Sequence, residues 1–423
     1  MDLMYTGSIL IVDLSKGETS ERELSDALVE SRLGGAAINL SLYQEFKDQD
    51  PVVIGSGLFT GTMVPGCASG VVTARSPLNG KVMHAPLVNY LGAELKLAGF
   101  PFVVLHGRSE APSYLWLHDE IADLLPARAI WGQDTWKTVD YIREEQGEER
   151  IQVLSIGKAG ENRLDQAMAV VDYWSEGDKV GLGKRLGEMN LKAVATRGMG
   201  ELEVDDPDRT LELCRRAMAT ARSRLKGAQG IESLVPGADL GDLATIRHRD
   251  IACSGCPWPC RTFVKYNEPP TVLKEELKEP GVLISDVSGF LSLMAEGRSA
   301  ADAARLLEVC ARLGLEPMSA AKQLPGAGFE ESKARLESLA STAFDVGGVP
   351  LVEGATCPEA FSPFAPNGGE KEEIALAYVL GICPRYAAKV GLDLGLCAEL
   401  IEATTGMKKD REDLLGLANS IIR

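Results

Sequence analysis

The feature that most limits the fold is a change of pattern at Asp205-Asp206-Pro207. Before it, short apolar runs alternate with glycine-rich turns. Segments 8–14, 51–54, 70–74, 102–106, 114–117 and 151–155 show the period-two or brief apolar pattern of strands, and helical spacing interrupts them at 92–98 and 135–145. After it, an acidic cap followed by proline starts a helix, and the leucines and alanines of 208–225 keep helical spacing. Segments 300–313, 372–380, 394–404 and 410–422 read the same way, with loops rich in glycine and proline at 227–241 and 347–369. The pattern predicts an α+β fold: a β-rich domain over 1–204, then mainly helical domains over 205–423. A chain of 423 residues is ample for both and shows no internal repeat.

The formal net charge of −17 repels phosphate backbones and argues against nucleic acid as a partner. The longest apolar runs are too short for a membrane span, and the start lacks the basic and apolar pattern of a signal peptide. A cytoplasmic location is therefore expected, and there nine cysteines is a high count, since disulfides are rare in that compartment. The four histidines all lie at or before His248, which argues against a histidine-rich metal site in the C-terminal half.

The strongest chemical signal is Cys253-Ser-Gly-Cys256-Pro-Trp-Pro-Cys260. The prolines prevent regular helix, so a compact loop presents three thiols together. Three thiolates in one loop, with a fourth from elsewhere, suit a [4Fe–4S] cluster in which each iron takes one thiolate. Buried inert thiols and a structural zinc site are the alternatives; zinc ribbons usually pair two two-cysteine knuckles, and no second knuckle exists here. Spacing does not choose the fourth ligand, although Cys383-Pro384 repeats the Cys256-Pro257 pattern. The glycine-rich turns at Thr60-Gly61-Thr62, Ser76-Pro-Leu-Asn-Gly80, Gly157-Lys-Ala-Gly-Glu-Asn162 and Gly181-Leu-Gly-Lys184 can offer backbone N–H groups to phosphates, but none fits a P-loop or dinucleotide fingerprint.

Taken in order, several segments resemble the tungsten-dependent aldehyde:ferredoxin oxidoreductase family. They are Arg32-Leu-Gly-Gly35, Gly57-Leu-Phe-Thr-Gly-Thr62, Ser76-Pro-Leu-Asn-Gly80, Gly92-Ala-Glu-Leu-Lys96, Ile130-Trp-Gly132, Ile156-Gly-Lys-Ala-Gly-Glu-Asn162, Asn190-Leu-Lys-Ala193, the cysteine loop, Leu313-Gly-Leu315, Leu380-Gly-Ile-Cys383 and Thr405-Gly406. The match is dense over 5–195 and patchy afterwards. The resemblance implies a β-rich base that cradles a tungsten (or molybdenum) bis-pterin, helical domains that cover it, and a nearby [4Fe–4S] cluster on Cys253, Cys256, Cys260 and Cys383. It implies oxidation of small aldehydes to carboxylic acids, with electrons passed to ferredoxin or another electron-transfer protein, in a homodimer or hetero-complex. It places cofactor contacts at Ser69, Asn89, Lys179, Gly181, Gly183 and Glu316.

Departures from the family pattern cluster at the pterin. Ala68 stands where the family has a cofactor-contacting arginine, Pro86 where it has an asparagine, Lys179 where it has an arginine, and Glu316-Pro317 where it has Asp-Thr. The chain is also short between about 325 and 371, where the family places a histidine. The pattern implies weakened pterin binding with Lys179 as the replacement cation, or a non-catalytic electron-transfer or scaffold subunit that keeps only the cluster. Glu275, Glu276 and Glu279 lie near where the family has a glutamate facing the metal, although Lys274-Glu-Glu-Leu-Lys-Glu279 reads more simply as a solvated charged face.

Overall fold

The structure is a computed structural model that describes residues 4–5, 7–174, 177–265, 281–324, 326, 328–344, 347–350, 358–364 and 369–422. Its N-terminal half holds two sheets. The first has six strands: β1 Ser8–Asp13, β2 Glu18–Glu23, β3 Val52–Ser56, β4 Gly70–Arg75, β5 Val82–Leu87 and β6 Phe102–His106, in the order β2-β1-β6-β3-β4-β5. All neighbours are antiparallel except β1 and β6. The second has five: β7 Ser113–His118, β8 Ile121–Pro126, β9 Gln152–Ile156, β10 Ala169–Val171 and β11 Leu191–Arg197, in the order β10-β9-β11-β7-β8.

The period of two explains how these sheets pack. Leu10, Ile54, Val103 and Leu105 face one way and meet Leu115, Leu117, Leu154 and Val194 of the second sheet in one buried core. Ile9, Val53, Phe102 and Val104 face the other way and join a larger core that includes Ile374, Leu376, Val379, Leu414 and Ile421. The first sheet is thus buried on both faces, and its far face packs on C-terminal helices. The helices Gly35–Glu45, Lys371–Leu380 and Arg411–Ile422 form that cover.

From Pro207 helices predominate, the longest being Pro207–Arg224, capped by Asp206, whose carboxylate accepts the Arg209 N–H. A third, small sheet interrupts them: β12 Arg247–Ile251, β13 Arg261–Val264 and β14 Val282–Ile284, all antiparallel. Sequence periodicity did not predict it. The expected strands and helices agree with the observed elements to within a residue or two. Among the described residues, no helix is long and apolar enough to cross a membrane.

Candidate functional site

Three of the candidate cysteines sit at the tip of the β12–β13 hairpin. Ile251 pairs with Arg261, and the connection between them holds Cys253, Cys256 and Cys260. The Cys256 N–H donates to the Cys253 carbonyl (3.1 Å), and the Cys260 N–H donates to the Trp258 carbonyl (2.9 Å). Trp258 is buried and donates its indole N–H to Ser233 Oγ (3.0 Å), which anchors the tip. Cys383 comes from a different place. The helix Lys371–Leu380 ends at Gly381, and Cys383 caps the next helix, Pro384–Val390. Its N–H donates to the Gly66 carbonyl (2.9 Å).

What brings Cys383 to the hairpin is a backbone-to-backbone junction. The turn 57–62 donates from Leu58 N–H to the Val379 carbonyl (3.1 Å) and from Phe59 N–H to the Leu380 carbonyl (2.8 Å). A Cβ on Gly57 would lie 2.0 Å from the Gly381 nitrogen, and one on Gly381 would lie 2.0 Å from Thr60 Oγ1. Only glycine at both positions permits this approach. Lys96, fully buried, ties the turn from behind: its ammonium donates to the Leu58 carbonyl (2.6 Å) and lies 4.3 Å from the Tyr5 ring centroid. Burial pulls the Lys96 pKa down to about 7.

The four cysteines consequently line one small cavity, of about 20 Å3, whose wall also includes Ala68, Ser69, Asn89, Trp258, Arg385 and Tyr386. Burial pushes the Cys256 thiol up to about 12 and raises Cys383 well above its ordinary value, the three other cysteines adding to the rise at Cys383. Arg261 acts on Cys256 in the opposite direction. Among the described residues, no three His, Cys, Asp or Glu side chains converge closely enough to hold a single ion. A cubane takes each thiolate on a different iron, so it needs its sulfurs arrayed around a cavity rather than converged on one point.

The structure separates the candidate pterin contacts. Ser69 and Asn89 reach the cysteine cavity. The Ser69 hydroxyl lies 3.2 Å from the Gly70 carbonyl and 3.3 Å from that of Leu87. Asn89 has a left-handed φ of 69° and accepts from Arg261 Nη1 (2.6 Å). Gly181 and Gly183 begin the helix Leu182–Glu188, where Gly183 packs against the Met168 carbonyl. Pro86 lies in β5, and Pro317 opens the helix Pro317–Ala321.

Lys179 and Glu316 meet elsewhere, in a buried triad that sequence reasoning did not anticipate. The Lys179 ammonium pairs with Asp286 and with Glu316 Oε1 (2.7 Å). Each carboxylate also caps a helix: Asp286 accepts the Gly289 N–H (2.9 Å), and Glu316 accepts the Met318 (3.1 Å) and Ser319 (2.7 Å) N–H groups. Burial pulls the Lys179 pKa down, but the two carboxylates outweigh it and hold the ammonium above its ordinary value. Asp286 was missed, although Asp286-x-x-Gly289 ahead of an apolar run is a legible cap. Cys67, Cys214, Cys310 and Cys397 are buried, separate from the cavity wall. Cys357, Glu275, Glu276 and Glu279 lie outside the described residues.

A β-rich base joined to helices through a cysteine-lined cavity is an α+β architecture with counterparts among known proteins. Residues 9–198 match the aldehyde ferredoxin oxidoreductase N-terminal domain. Over that region the chain is similar to the aldehyde ferredoxin oxidoreductase family. The tungsten-containing aldehyde ferredoxin oxidoreductase of Pyrococcus abyssi is 32% identical over 221 residues, 50% of this chain and 36% of that protein. The Pyrococcus furiosus enzyme of the same description is 32% identical over 227 residues, 51% and 37% respectively. The aliphatic sulfonate oxidoreductase WOR-like subunit of Pyrococcus furiosus is 29% identical over 256 residues, 53% and 41%. The matched region thus spans well under half the length of these curated relatives. Among solved structures, the active site complex BamBC of benzoyl coenzyme A reductase, in complex with 1,5-dienoyl-CoA, shares the fold. The TM-score is 0.79 at 19% identity, covering 99% of this chain and 88% of that one.

Proposed function

We propose that this chain is an iron–sulfur redox protein in which Cys253, Cys256, Cys260 and Cys383 hold one [4Fe–4S] cluster that passes electrons singly. The observation that supports this reading most directly is the convergence of four thiols, from two stretches far apart in sequence, on one cavity. The donor set fits the group: four soft sulfurs, one for each iron. Binding requires each thiol to lose its proton; at Cys256 and Cys383 burial opposes that loss in the free protein, and metal coordination would reverse it.

The family resemblance and the tungsten-containing relatives support a substrate side in which small aldehydes become carboxylic acids and ferredoxin, or another electron-transfer protein, takes the electrons. The residues assigned to the pterin fit it less well. A dianionic pterin needs charge-assisted donors. The Lys179 ammonium is already held by two carboxylates, and Glu316 already accepts from that ammonium and from two backbone N–H groups. With one cation and two carboxylates, the triad carries net negative charge, which opposes an anionic ligand. This observation favours a second reading, an electron-transfer or scaffold subunit of a hetero-complex that has the cluster and no pterin.

Anaerobic expression with tungstate and molybdate, followed by metal analysis and an aldehyde-dependent dye-reduction assay, separates the readings. About four irons per chain are expected for the cubane. Tungsten or molybdenum with iron and aldehyde oxidation supports the enzyme, and iron alone supports the electron-transfer subunit. A colourless, zinc-loaded protein overturns the cluster.

A further inference from the structure

Two arginines flank the cysteine cavity from different elements. Arg385 follows Cys383 by two residues, lines the cavity and is only 4% exposed. Its Nη2 donates to the Ser285 carbonyl (2.8 Å), and its guanidinium carbon lies 4.0 Å from the centroid of the Phe364 ring, so the group is fixed. Arg261 follows Cys260 directly and is 5% exposed. Its Nη1 donates to the side chain of Asn89, itself part of the cavity wall. A guanidinium stays charged at any pH a protein survives. In the same wall Ala68 brings no charge.

We propose that Arg261 and Arg385 are the cations that set the reduction potential of the cluster held by the four cysteines. The inference rests on the cluster assignment above. A cube with four thiolate ligands carries net negative charge, and reduction adds one more. A fixed buried cation nearby stabilises the reduced form more than the oxidised form, because the interaction grows with cluster charge and is weakly screened in the interior. Both arginines therefore raise the potential. Neither forms a bond to iron, so both act as positioning residues for charge. Because one enters from the hairpin and the other from the Cys383 helix, their contributions are separable.

The test is potentiometric titration of the anaerobic protein, followed by EPR, with iron content measured in parallel. Arg385→Gln and Arg261→Gln should each keep their iron and shift the potential downward. The expected shift lowers the reduced-to-oxidised ratio at a fixed potential at least tenfold, about 59 mV for one electron. Arg385→Lys, which keeps the charge, should recover most of that shift, whereas a purely structural role would not distinguish Lys from Gln in this way. Arg385→Gln decides the matter if Arg261→Gln fails to fold. An iron-loaded Arg385→Gln protein with the wild-type potential overturns this inference alone. An iron-free wild-type protein overturns the cluster assignment and this inference with it.

Discussion

The cysteine cavity and the Lys179 triad are both buried junctions between the β-rich half and the helical half, and they differ in what they leave for a ligand. Around the cavity, four side chains of one kind point at a common space, and burial holds Cys256 and Cys383 in an uncharged form that a metal core would reverse. In the triad, opposite charges already meet, and both carboxylates also cap helices. The first arrangement offers four like donors to the cluster proposed above. The second is complete. Sequence resemblance places cofactor contacts at both, but only the first gathers like donors around a shared cavity.

The sharpest way to break this contrast is at Cys383. We expect Cys383→Ser to lose or degrade the cluster, while Cys214→Ser, Cys310→Ser and Cys397→Ser retain it, since those three thiols are buried as small hydrophobes. Iron content of anaerobically purified variants is the readout; unchanged iron in Cys383→Ser would remove the fourth ligand from the assignment.

The second largest effect should come from the triad and should touch stability rather than iron. Lys179→Met leaves Asp286 and Glu316 buried without their cation. Breaking a buried ion pair from one side costs about 3–5 kcal/mol. Denaturant unfolding of the iron-loaded protein should show that loss with iron content intact. A marginal effect on stability would mean that the triad is not the clamp described here.

The smallest effect concerns Lys96, which supports the junction near the cavity. Its folded pKa of about 7 lies below the ordinary lysine value of about 10.4. Between those values the unfolded chain binds more protons than the folded one. Stability gained from this group therefore rises with pH from about 7 to about 10.4, by about 1.4 kcal/mol per pH unit. Below pH 7 the full cost of the buried charge is present. The stability of wild type relative to Lys96→Met should thus rise as pH goes from 7 to 9, and a difference independent of pH would show that Lys96 stays charged throughout.

Part of the fold was legible from buried apolar runs, although the buried strands Val82–Leu87 and Leu191–Arg197 were not read as strands. The 102–106 run alternates between two cores and announces itself by β-branched and aromatic residues. Glu18–Glu23 and Arg247–Ile251 were not legible, since Glu-Thr-Ser-Glu-Arg-Glu and Arg-His-Arg-Asp-Ile have no apolar periodicity; each strand is defined by its partner, β1 or β13. The site divides in the same way. Local spacing gave the three hairpin cysteines, and family resemblance gave Cys383. Asp286, Arg261 and Arg385 were silent, because a cap, a strand start and a helix interior look ordinary until the fold places them beside a charge.

The glycine contact between Gly57 and Gly381 also bears on timing. On a ribosome, the turn at 57–62 emerges early, with the Leu58 and Phe59 N–H groups aimed at carbonyls that have not yet been made. Until the stretch around 379–381 arrives, those donors must rely on water and the far face of the first sheet lacks much of its cover. Contacts this distant in sequence close late and slow folding. A nascent or truncated chain that stops short of Gly381 thus has Cys253, Cys256 and Cys260 without Cys383, and the cluster proposed above could take its full set of four thiolates only after residue 383 is made.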